Sequence, residues 1–484
     1  MYLRPGQAMS GACTVPRPIQ LVIDDVGWRE GWDVSADGGP FRAGVDRLLG
    51  TADYAAVAEL GAALGIRPQC AMVLCEWDRR NACADYPTAT FEGRSWDNRE
   101  RLGPWLDETV AVIRGNGAHF EFALHGVGHE HWENGQRTRA EWLGAGAEDR
   151  WSPGVLAGHA ECFRRLMRQN GLGGKGGATR LPVSFVPCAF RYLWDEDDAE
   201  STGALMARQG VRYASTPYSS CTFVQADLLA EDGGFDHDLL VLDRGNSGIS
   251  YKLYDPVPAV PTPNSICGIH WPNLLRPDPT ENGTAVARWV DYLASLRADP
   301  EVMLARTMPE TVSQWFHWRF STLREKGGQW QLDLAGLPTK AWDLGLILPV
   351  VVKHAAAAAI LSADCDVLAS WRRGDWGFTA LLPRDGRTGT FRLGPESAAG
   401  RLLEPGTCDL LGMARYGSIV ALRLRVYGTQ DIVWGGDSPA SLSLAGSGAR
   451  LAQVETIGNE VRIRLVGDPI HGSESELVVI GGSQ

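Results

Sequence analysis

The chain has 484 residues, of which 44% are hydrophobic and 21% are charged, and its net charge at pH 7 is −12. This length allows two or three domains with cores of their own, and the composition is ordinary for a soluble globular protein. The acidic balance, without a Lys/Arg block, argues against a nucleic-acid partner, and no apolar run reaches the ~20 residues that a membrane helix needs.

The cysteines and the first twenty residues bear on the cellular compartment. The ten cysteines show no CxxC or other paired spacing, which favours a reducing environment. Residues 1–20 include an arginine but no apolar segment of the secretory kind. We therefore expect a cytoplasmic protein, or a secreted one if a signal peptide was trimmed from the sequence.

Short apolar runs alternate with amphipathic stretches from Ile19 to Trp318. This alternation predicts a parallel sheet, and the number of units indicates a (β/α) barrel, either closed or incomplete with seven strands. The predicted strands are Ile19–Ile23, Gln69–Leu74, His119–Leu124, Val183–Val186, Arg212–Ser215, Leu239–Leu242, Ser265–Ile269 and Val302–Ala305. The predicted helices are Tyr54–Leu64, Trp105–Arg114, Gly154–Gln169, Ser201–Gln209, Ala285–Arg297 and Pro309–Trp318.

The pattern changes near residue 325, where two-residue alternation and turn residues begin to dominate. We therefore divide the chain into a barrel domain, 1–324, and a C-terminal region, 325–484, of one or two β-sandwich modules. Lys353–Leu361 fits a strand or a helix equally well. The predicted strands are Gln329–Leu334, Thr388–Leu393, Ser418–Val426, Ser441–Leu444, Val461–Val466 and Glu476–Ile480.

Two adjacent carboxylates, Asp24 and Asp25, end the first apolar run. Neighbouring residues of a strand point to opposite faces, so the two carboxylates can diverge at the strand end. One can then bind a metal while the other takes a proton from a water molecule. Because loops that follow barrel strands form the catalytic face, this position indicates a functional site.

A histidine pair, His125 and His129, ends the third apolar run. Residues four apart on a straight strand lie about 13 Å from each other, whereas two nitrogens that bind one zinc ion lie within about 4 Å. The backbone must therefore turn back after His125, and Gly126 and Gly128 permit that turn. Together with the carboxylates, the pair predicts one divalent metal, Zn²⁺ in the first place, with Co²⁺ or Ni²⁺ as alternatives.

His270 ends the seventh apolar run and suits a general acid that protonates a leaving amine or alkoxide. Tryptophans also follow several strand ends, where a ring can stack on a glycan or pack in the rim of the barrel. The candidate substrate-binding residues are Trp28, Trp77, Trp132, Trp194, Trp271 and His131.

The order of these motifs resembles the polysaccharide deacetylase family, over the range Ile19 to Trp318. That family consists of metal-dependent carbohydrate esterases with a distorted (β/α) barrel, and its members remove N- or O-acetyl groups from sugars. The resemblance implies that Asp24 is the catalytic base, that His270 is the general acid, and that the metal ligands are Asp25, His125 and His129.

Two further roles follow from the resemblance. The nearest match to the family's arginine motif is Phe190–Trp194, which implies that Arg191 orients the base. Asp243 takes the place of the late acidic residue that tunes the general acid, and Arg244 beside it is a possible ion-pair partner of Asp243.

The chain departs from the family pattern at three positions. Val26 separates the Asp pair from Gly27, Gly126 stands where the family has Ser or Thr, and the arginine motif lacks its proline. The substrate is expected to be a carbohydrate or another acylated molecule. Two alternatives stay open: a C–N hydrolase or glycoside hydrolase on the same barrel, and a catalytically degenerate protein that binds glycans.

Overall fold

We describe the chain from a computed structural model. It describes residues 13–480 except 145–149, 175–179, 226, 246–248, 255, 259–261, 345–348, 396–400, 436–438, 440 and 447. The chain folds into two compact units, Gln20–Leu293 and a second unit of Ala294–Gln484 with Met1–Ile19. The predicted boundary at residue 325 lies inside the second unit. No helix in the described part of the chain is long and apolar enough to span a membrane.

The unit Gln20–Leu293 contains seven parallel strands in one curled, half-barrel sheet. In spatial order they are Leu239–Asp243, Tyr213–Thr216, Ser184–Phe185, Glu121–Gly126, Gln69–Val73, Arg17–Val26 and Ile266–His270. Each of the seven overlaps a predicted strand. They are buried as strands covered on both faces are: nine of the ten residues in Arg17–Val26 are buried.

The sheet is open between its sixth and seventh strands in sequence. A closed barrel would pair Leu239–Asp243 with Ile266–His270, but these strands stand at opposite ends of the parallel set. The outer edge of Leu239–Asp243 is instead extended by two antiparallel strands, Gly233–Asp236 and Asp227–Ala230. In the described part of the chain, these strands thus form an open, half-barrel α/β sheet and not a closed barrel.

Helices connect the parallel strands, as the sequence predicts. They are Thr51–Leu64, Pro104–Gly115, Pro153–Gln169, Thr202–Arg208 and Asn282–Leu296. Two of them begin at a serine whose hydroxyl accepts a backbone N–H: Ser152 accepts from Val155, and Ser201 accepts from Ala204. Such caps fix where each helix starts. Helices that return the chain in this way bring the carboxyl ends of all seven strands to one edge of the sheet.

The second unit contains three sheets, two helices, Met308–Phe320 and Thr339–Asp343, and the strand Val302–Leu304, which overlaps a predicted strand and pairs in parallel with residues 17–19. Two of the sheets share one core, in which Leu368 and Ile463 of the first sheet pack with Leu422 and Leu477 of the second. Lys353–Leu361, which fitted a strand or a helix, is strand on both sides of a turn. The strands of the first sheet are Cys13–Thr14, Val350–Ala355, Trp376–Pro383, Cys365–Arg373, Arg401–Glu404, Thr429–Gly435, Glu460–Val466 and Arg450–Ile457. Those of the other two are Thr322–Lys326, Gln329–Asp333, Thr388–Gly394 and Ala359–Ser362, and Asp409–Tyr416, Ile419–Val426, Ser473–Ile480 and Ser441–Ala445.

Candidate metal centre

The two aspartates lie at a β-bulge near the carboxyl end of strand Arg17–Val26. Ile23 is paired with Cys70 and Val26 with Met72, so the aspartate strand holds one residue more than its neighbour. Asp25 has a φ of 64°, a left-handed conformation that side chains other than glycine adopt only when their surroundings hold them there. A bulge re-aims side chains, and here it lets the adjacent carboxylates of Asp24 and Asp25 serve different partners.

The histidine pair begins at a second bulge, in strand Glu121–Gly126. The pairing with the neighbouring strand steps from Leu124 to Gly126, which leaves His125 as the extra residue. The chain then turns back, and His129 has a φ of 59°. The ring centroids of the two histidines are 5.0 Å apart. The structure therefore brings together the two imidazoles that the sequence pattern paired.

Asp25 and the two histidines converge on one point. The Asp25 Oδ1 atom lies 3.4 Å from His125 Nε2 and 3.3 Å from His129 Nε2. Ligands bound tetrahedrally at about 2.1 Å are about 3.4 Å from one another, so the spacing fits one zinc-sized ion. All three side chains are buried, and Asp25 Oδ1 has no hydrogen-bond donor among the described residues. The donor set and the spacing thus fit a divalent metal.

Cys188 is a further candidate donor that the sequence did not single out as a ligand. Its sulfur and one ring nitrogen each of His125 and His129 lie within 4.8 Å of one another. The thiol, however, donates a hydrogen bond to the His125 carbonyl oxygen at 3.0 Å. Asp25 Oδ1 lies 3.4 and 3.3 Å from the two imidazole nitrogens and has no competing hydrogen bond among the described residues, so we take Asp25 as the better third ligand.

The tautomer of His125 and the lowered pKa of His129 suit metal binding. His125 Nδ1 donates to the carbonyl oxygen of Val186 at 2.6 Å, which leaves the lone pair of Nε2 directed at Asp25. Burial lowers the pKa of His129 to about 3, so this imidazole is neutral. Burial also raises the pKa of Asp25, but the electrostatic interaction with the two imidazole rings, including the contact with His125, outweighs it, and the pKa lies below its usual range.

Asp24 faces away from these ligands and contacts an arginine. Arg244 Nη1 lies 3.0 Å from Asp24 Oδ1 and 2.8 Å from Oδ2, with both side chains buried. The guanidinium lies against Gly268, where a Cβ would come within 1.8 Å of Nη2. The missing side chain at Gly268 makes room for the Arg244 guanidinium against strand Ile266–His270. A buried, charge-paired carboxylate therefore stands next to the candidate ligand Asp25.

His270 lies on the other side of Asp24. Its Nε2 is 3.9 Å from Asp24 Oδ2, which is too long for a hydrogen bond. The side chain is 20% exposed, so it is the member of the group that solvent reaches. Burial lowers the pKa of His270, and the carboxylates of Asp24 and Asp25 oppose that effect.

A buried glutamate, Glu141, shapes the loop between the histidines. Its carboxylate accepts the backbone N–H groups of Val127, Gly128 and His129 at 2.9, 3.2 and 2.9 Å. A Cβ at residue 126 would lie 2.2 Å from Glu141 Oε2, so Gly126 leaves the space that the carboxylate fills. The departure of Gly126 from the family pattern thus coincides with an acidic side chain that holds the loop.

Further polar contacts hold Glu141 in turn. His159 Nδ1 lies 3.1 Å from Glu141 Oε1, and its Nε2 lies 2.8 Å from the hydroxyl of Thr88. The neighbouring Trp142 donates from Nε1 to the His125 carbonyl oxygen at 2.6 Å. These contacts join the polar insertion after strand Glu121–Gly126 to the candidate metal ligands, and such outer partners orient ligands.

Arg191 and Asp243 occupy different surroundings from those the resemblance implied. Arg191 is partly exposed, directly after the turn Cys188–Phe190, and the guanidinium on Asp24 belongs to Arg244. Asp243 Oδ1 accepts the backbone N–H groups of Tyr218 and Gly245 at 3.2 and 2.9 Å. Its carboxylate therefore stabilises a turn at the strand end. Arg244 pairs with Asp24, not with its sequence neighbour Asp243.

Most of the strand-end tryptophans pack in the interior. Trp28, Trp77, Trp194 and Trp271 are fully buried, and Trp77 and Trp194 donate to the carbonyl oxygens of Gly27 and Phe235. Rings without exposed surface offer no face to a ligand, so we do not assign these four to substrate contact. Trp132 is partly exposed, with its Nε1 donating to Glu130 at 2.6 Å.

His131 is buried as well, and its ring stacks on Trp151 with centroids 3.7 Å apart. Burial lowers the pKa of His131, and the nearby His159 lowers it further. The His131 imidazole thus belongs to the buried packing next to the loop between His125 and His129.

Three residues of this centre were not predicted from the sequence, and the sequence signals that could have indicated them differ in strength. Arg244 follows a predicted strand end, the position that singled out the aspartates, so its location was a usable signal. Glu141 is a single acidic residue in a polar insertion, and nothing local distinguishes it from surface charge. Cys188 follows a short apolar run, a pattern that buried cysteine shares with ordinary hydrophobic residues.

Comparisons with known proteins add little beyond this geometry. No family model and no curated protein matches the chain. One solved structure with distant similarity is from Mycobacterium smegmatis and is named "putative polysaccharide deacetylase"; it is 14% identical, and the match covers 63% of this chain and 91% of that one. The TM-score is 0.34, which is too low to carry an argument about function.

Proposed function

We propose that the chain is a metal-dependent hydrolase that removes acetyl groups from an N-acetylated sugar or polysaccharide. The observation that carries the proposal is the contact of Asp25 Oδ1 with both imidazoles, 3.4 and 3.3 Å away, directly beside a second carboxylate that is free of them. A single ligand set with an adjacent base is what metal-assisted acyl hydrolysis requires.

The residues have separate roles in this proposal. Asp25, His125 and His129 would hold one divalent ion, with Zn²⁺ the best match to the nitrogen and oxygen donors. Such an ion, when bound, lowers the pKa of a water molecule and polarises the acyl oxygen. Asp24 accepts the proton of the attacking water, and Arg244 holds its carboxylate in place.

His270 supplies the proton to the leaving nitrogen. Its Nε2 lies 3.9 Å from Asp24 Oδ2 and it is the exposed member of the group, so it faces the side from which a substrate enters. Burial lowers the pKa of His270, which makes the protonated imidazole the stronger acid. After each turnover Asp24 releases the proton it took from the water, and His270, which solvent reaches, takes one up, so both groups return to their starting states.

The arrangement is less suited to a glycoside hydrolase, one of the alternatives that the sequence left open. Retaining glycosidases need two free carboxyl groups about 5 Å apart. Here the Asp25 carboxylate faces two imidazoles, so the adjacent pair leaves only Asp24 for catalysis, one carboxylate where a glycosidase needs two. We also propose that this activity belongs to a domain of residues 1–324, a distorted (β/α) barrel, with a β-sandwich region at 325–484.

The test is to incubate the Zn²⁺-loaded protein with N-acetylated glucosamine oligomers and to measure acetate and reducing ends together. We expect acetate release without new reducing ends, and we expect Asp24→Asn to keep its metal and lose turnover. New reducing ends would show a glycoside hydrolase. Binding of the oligomers with unchanged affinity in Asp24→Asn, and no turnover by the native chain on any acylated glycan, would show a glycan-binding protein.

A further inference from the structure

An exposed arginine lies at the entrance of the candidate metal centre. Arg139 is exposed, and its Cζ atom lies 4.0 Å from the ring centroid of Phe41 and 4.9 Å from that of Tyr251. The Phe41 ring is 4.2 Å from the ring of His129, and the Tyr251 ring is 5.8 Å from that of His270. Two aromatic rings, one next to His129 and the other next to His270, therefore hold the Arg139 guanidinium.

Three other cations near this entrance are engaged by protein groups. Arg137 donates to the carbonyl oxygens of Gly39 and Ser35. Lys252 pairs with Asp33 at 3.1 Å, and Arg244 pairs with Asp24. Arg139 has no carboxylate within ion-pair distance in the described part of the chain.

The contacts of Arg139 leave its hydrogen-bonding groups available. Stacking on an aromatic ring uses the flat face of a guanidinium, whereas its N–H donors lie in the plane of the group and point outward. The rings also restrict the side chain before any ligand arrives, which reduces the entropy that binding would cost. In a chain of net charge −12, an unpaired cation at the mouth of a site is not explained by the general charge balance.

We propose that Arg139 binds an anionic group of the substrate, so that the acylated sugar processed at this centre carries a carboxylate or a sulfate. This inference rests on the proposed function for the acylated sugar, and it adds the charge of that sugar. A planar guanidinium binds such groups through two parallel hydrogen bonds, and charge-assisted hydrogen bonds are among the strongest that proteins make. Neutral N-acetylated sugars would be the poorer ligands.

Binding, rather than turnover, tests this inference independently of the proposed chemistry. Dissociation constants are measured by ligand-observed NMR titration of the Zn²⁺-loaded full chain at low ionic strength. The probes are N-acetylglucosamine, N-acetylmuramic acid, which adds a carboxylate, and N-acetylglucosamine 6-sulfate. The comparison of the two charged probes shows which anion fits. We expect at least one charged probe to bind about tenfold more tightly than the neutral one, and Arg139→Gln to remove most of that preference.

The matched control is Arg114→Gln. Arg114 is also exposed, but it lies in the last turn of helix Pro104–Gly115, at the edge of the sheet opposite the strand carboxyl ends. Its loss should leave the preference unchanged. Equal affinities for charged and neutral probes in the native chain would overturn the inference, as would a preference that survives Arg139→Gln. If the preference is present but no acetate is ever released, the proposed function fails and the anion site stands.

Discussion

The loop after strand Arg17–Val26 and the loop after strand Glu121–Gly126 both start at a bulge, but different forces hold them. In the first loop, the side chain of Asp24 is held by Arg244, 220 residues away in the sequence. In the second loop, three consecutive backbone N–H groups are held by one carboxylate, that of Glu141. The first arrangement fixes a charge, and the second fixes a backbone conformation.

This difference separates the two tasks of the proposed site. A ligand needs its position set to a few tenths of an ångström, and the rigid backbone around His129 provides that. A base needs its carboxylate held in position and off the metal. An ion pair between two side chains can do this without fixing the backbone conformation of the loop. Substitutions at the Asp24–Arg244 ion pair should therefore mainly lower the free energy of unfolding, whereas substitution of Glu141 should mainly lower the metal affinity.

The largest effect is expected from the ligands themselves. Asp25→Asn replaces the carboxylate that contacts both imidazoles, and the affinity for Zn²⁺ should fall by more than about a hundredfold, because loss of mere outer partners already costs 10–100-fold. Cys188→Ser is the matched control and should keep its metal. Zinc X-ray absorption of the native chain checks the assignment: a Zn–S distance near 2.3 Å would give the third position to Cys188.

The next effect concerns the stability of the ion pair. Arg244→Gln leaves the carboxylate of Asp24 buried without its partner, and the free energy of unfolding should fall by about 3–5 kcal/mol. Chemical denaturation measures it. The double variant Asp24→Asn, Arg244→Gln should recover part of the loss, because the uncompensated charge is gone. Losses that simply add would show that the two groups do not interact. Metal affinity should change much less than in Asp25→Asn.

Glu141→Gln tests the other loop. The amide keeps the shape of the side chain but turns an NH₂ group toward at least one backbone N–H donor, so His129 should lose its fixed position. We expect Zn²⁺ affinity to fall by about 10–100-fold while the chain stays folded. Glu133→Gln, in the same insertion with a side chain that is 58% exposed, is the control. Equal Zn²⁺ affinity in the two variants would contradict the role of Glu141.

The smallest effect comes from the space that Gly126 leaves. Gly126→Ala brings a methyl group to 2.2 Å from Glu141 Oε2, and the displaced carboxylate should cost about 1–3 kcal/mol of unfolding free energy. Gly115→Ala is the control, because a Cβ there meets nothing within 4 Å. Thermal unfolding separates the two variants. A stable Gly126→Ala chain with native metal affinity would show that the loop does not need this packing.

The sequence predicts the parts of this centre that depend on chain position. Asp25, His125 and His129 end apolar runs, and the parallel arrangement of those runs brings their ends to one edge. The partner of Asp24 could not be predicted in this way, because Arg244 reaches it across the opening in the sheet and depends on the missing side chain of Gly268. Local periodicity carries no information about such a contact.

The tryptophans at the strand ends also show that local sequence does not predict long-range contacts. A ring after a strand end can face a ligand or the interior, and the sequence pattern is identical in both cases. Trp194 is buried, and its Nε1 donates to a carbonyl oxygen of a strand, Gly233–Asp236, that the sequence did not predict. The burial of a strand-end residue thus depends on segments distant from it in sequence.

Removal and return of the metal tests the central claim most directly. The native chain is stripped with a chelator, and acetate release from an N-acetylated glucosamine oligomer is measured before and after one equivalent of Zn²⁺ is added. We predict background release from the stripped chain, recovery with Zn²⁺, and no recovery in His129→Ala under the same conditions. Full acetate release by a chain shown to be free of metal would contradict the assignment of Asp25, His125 and His129.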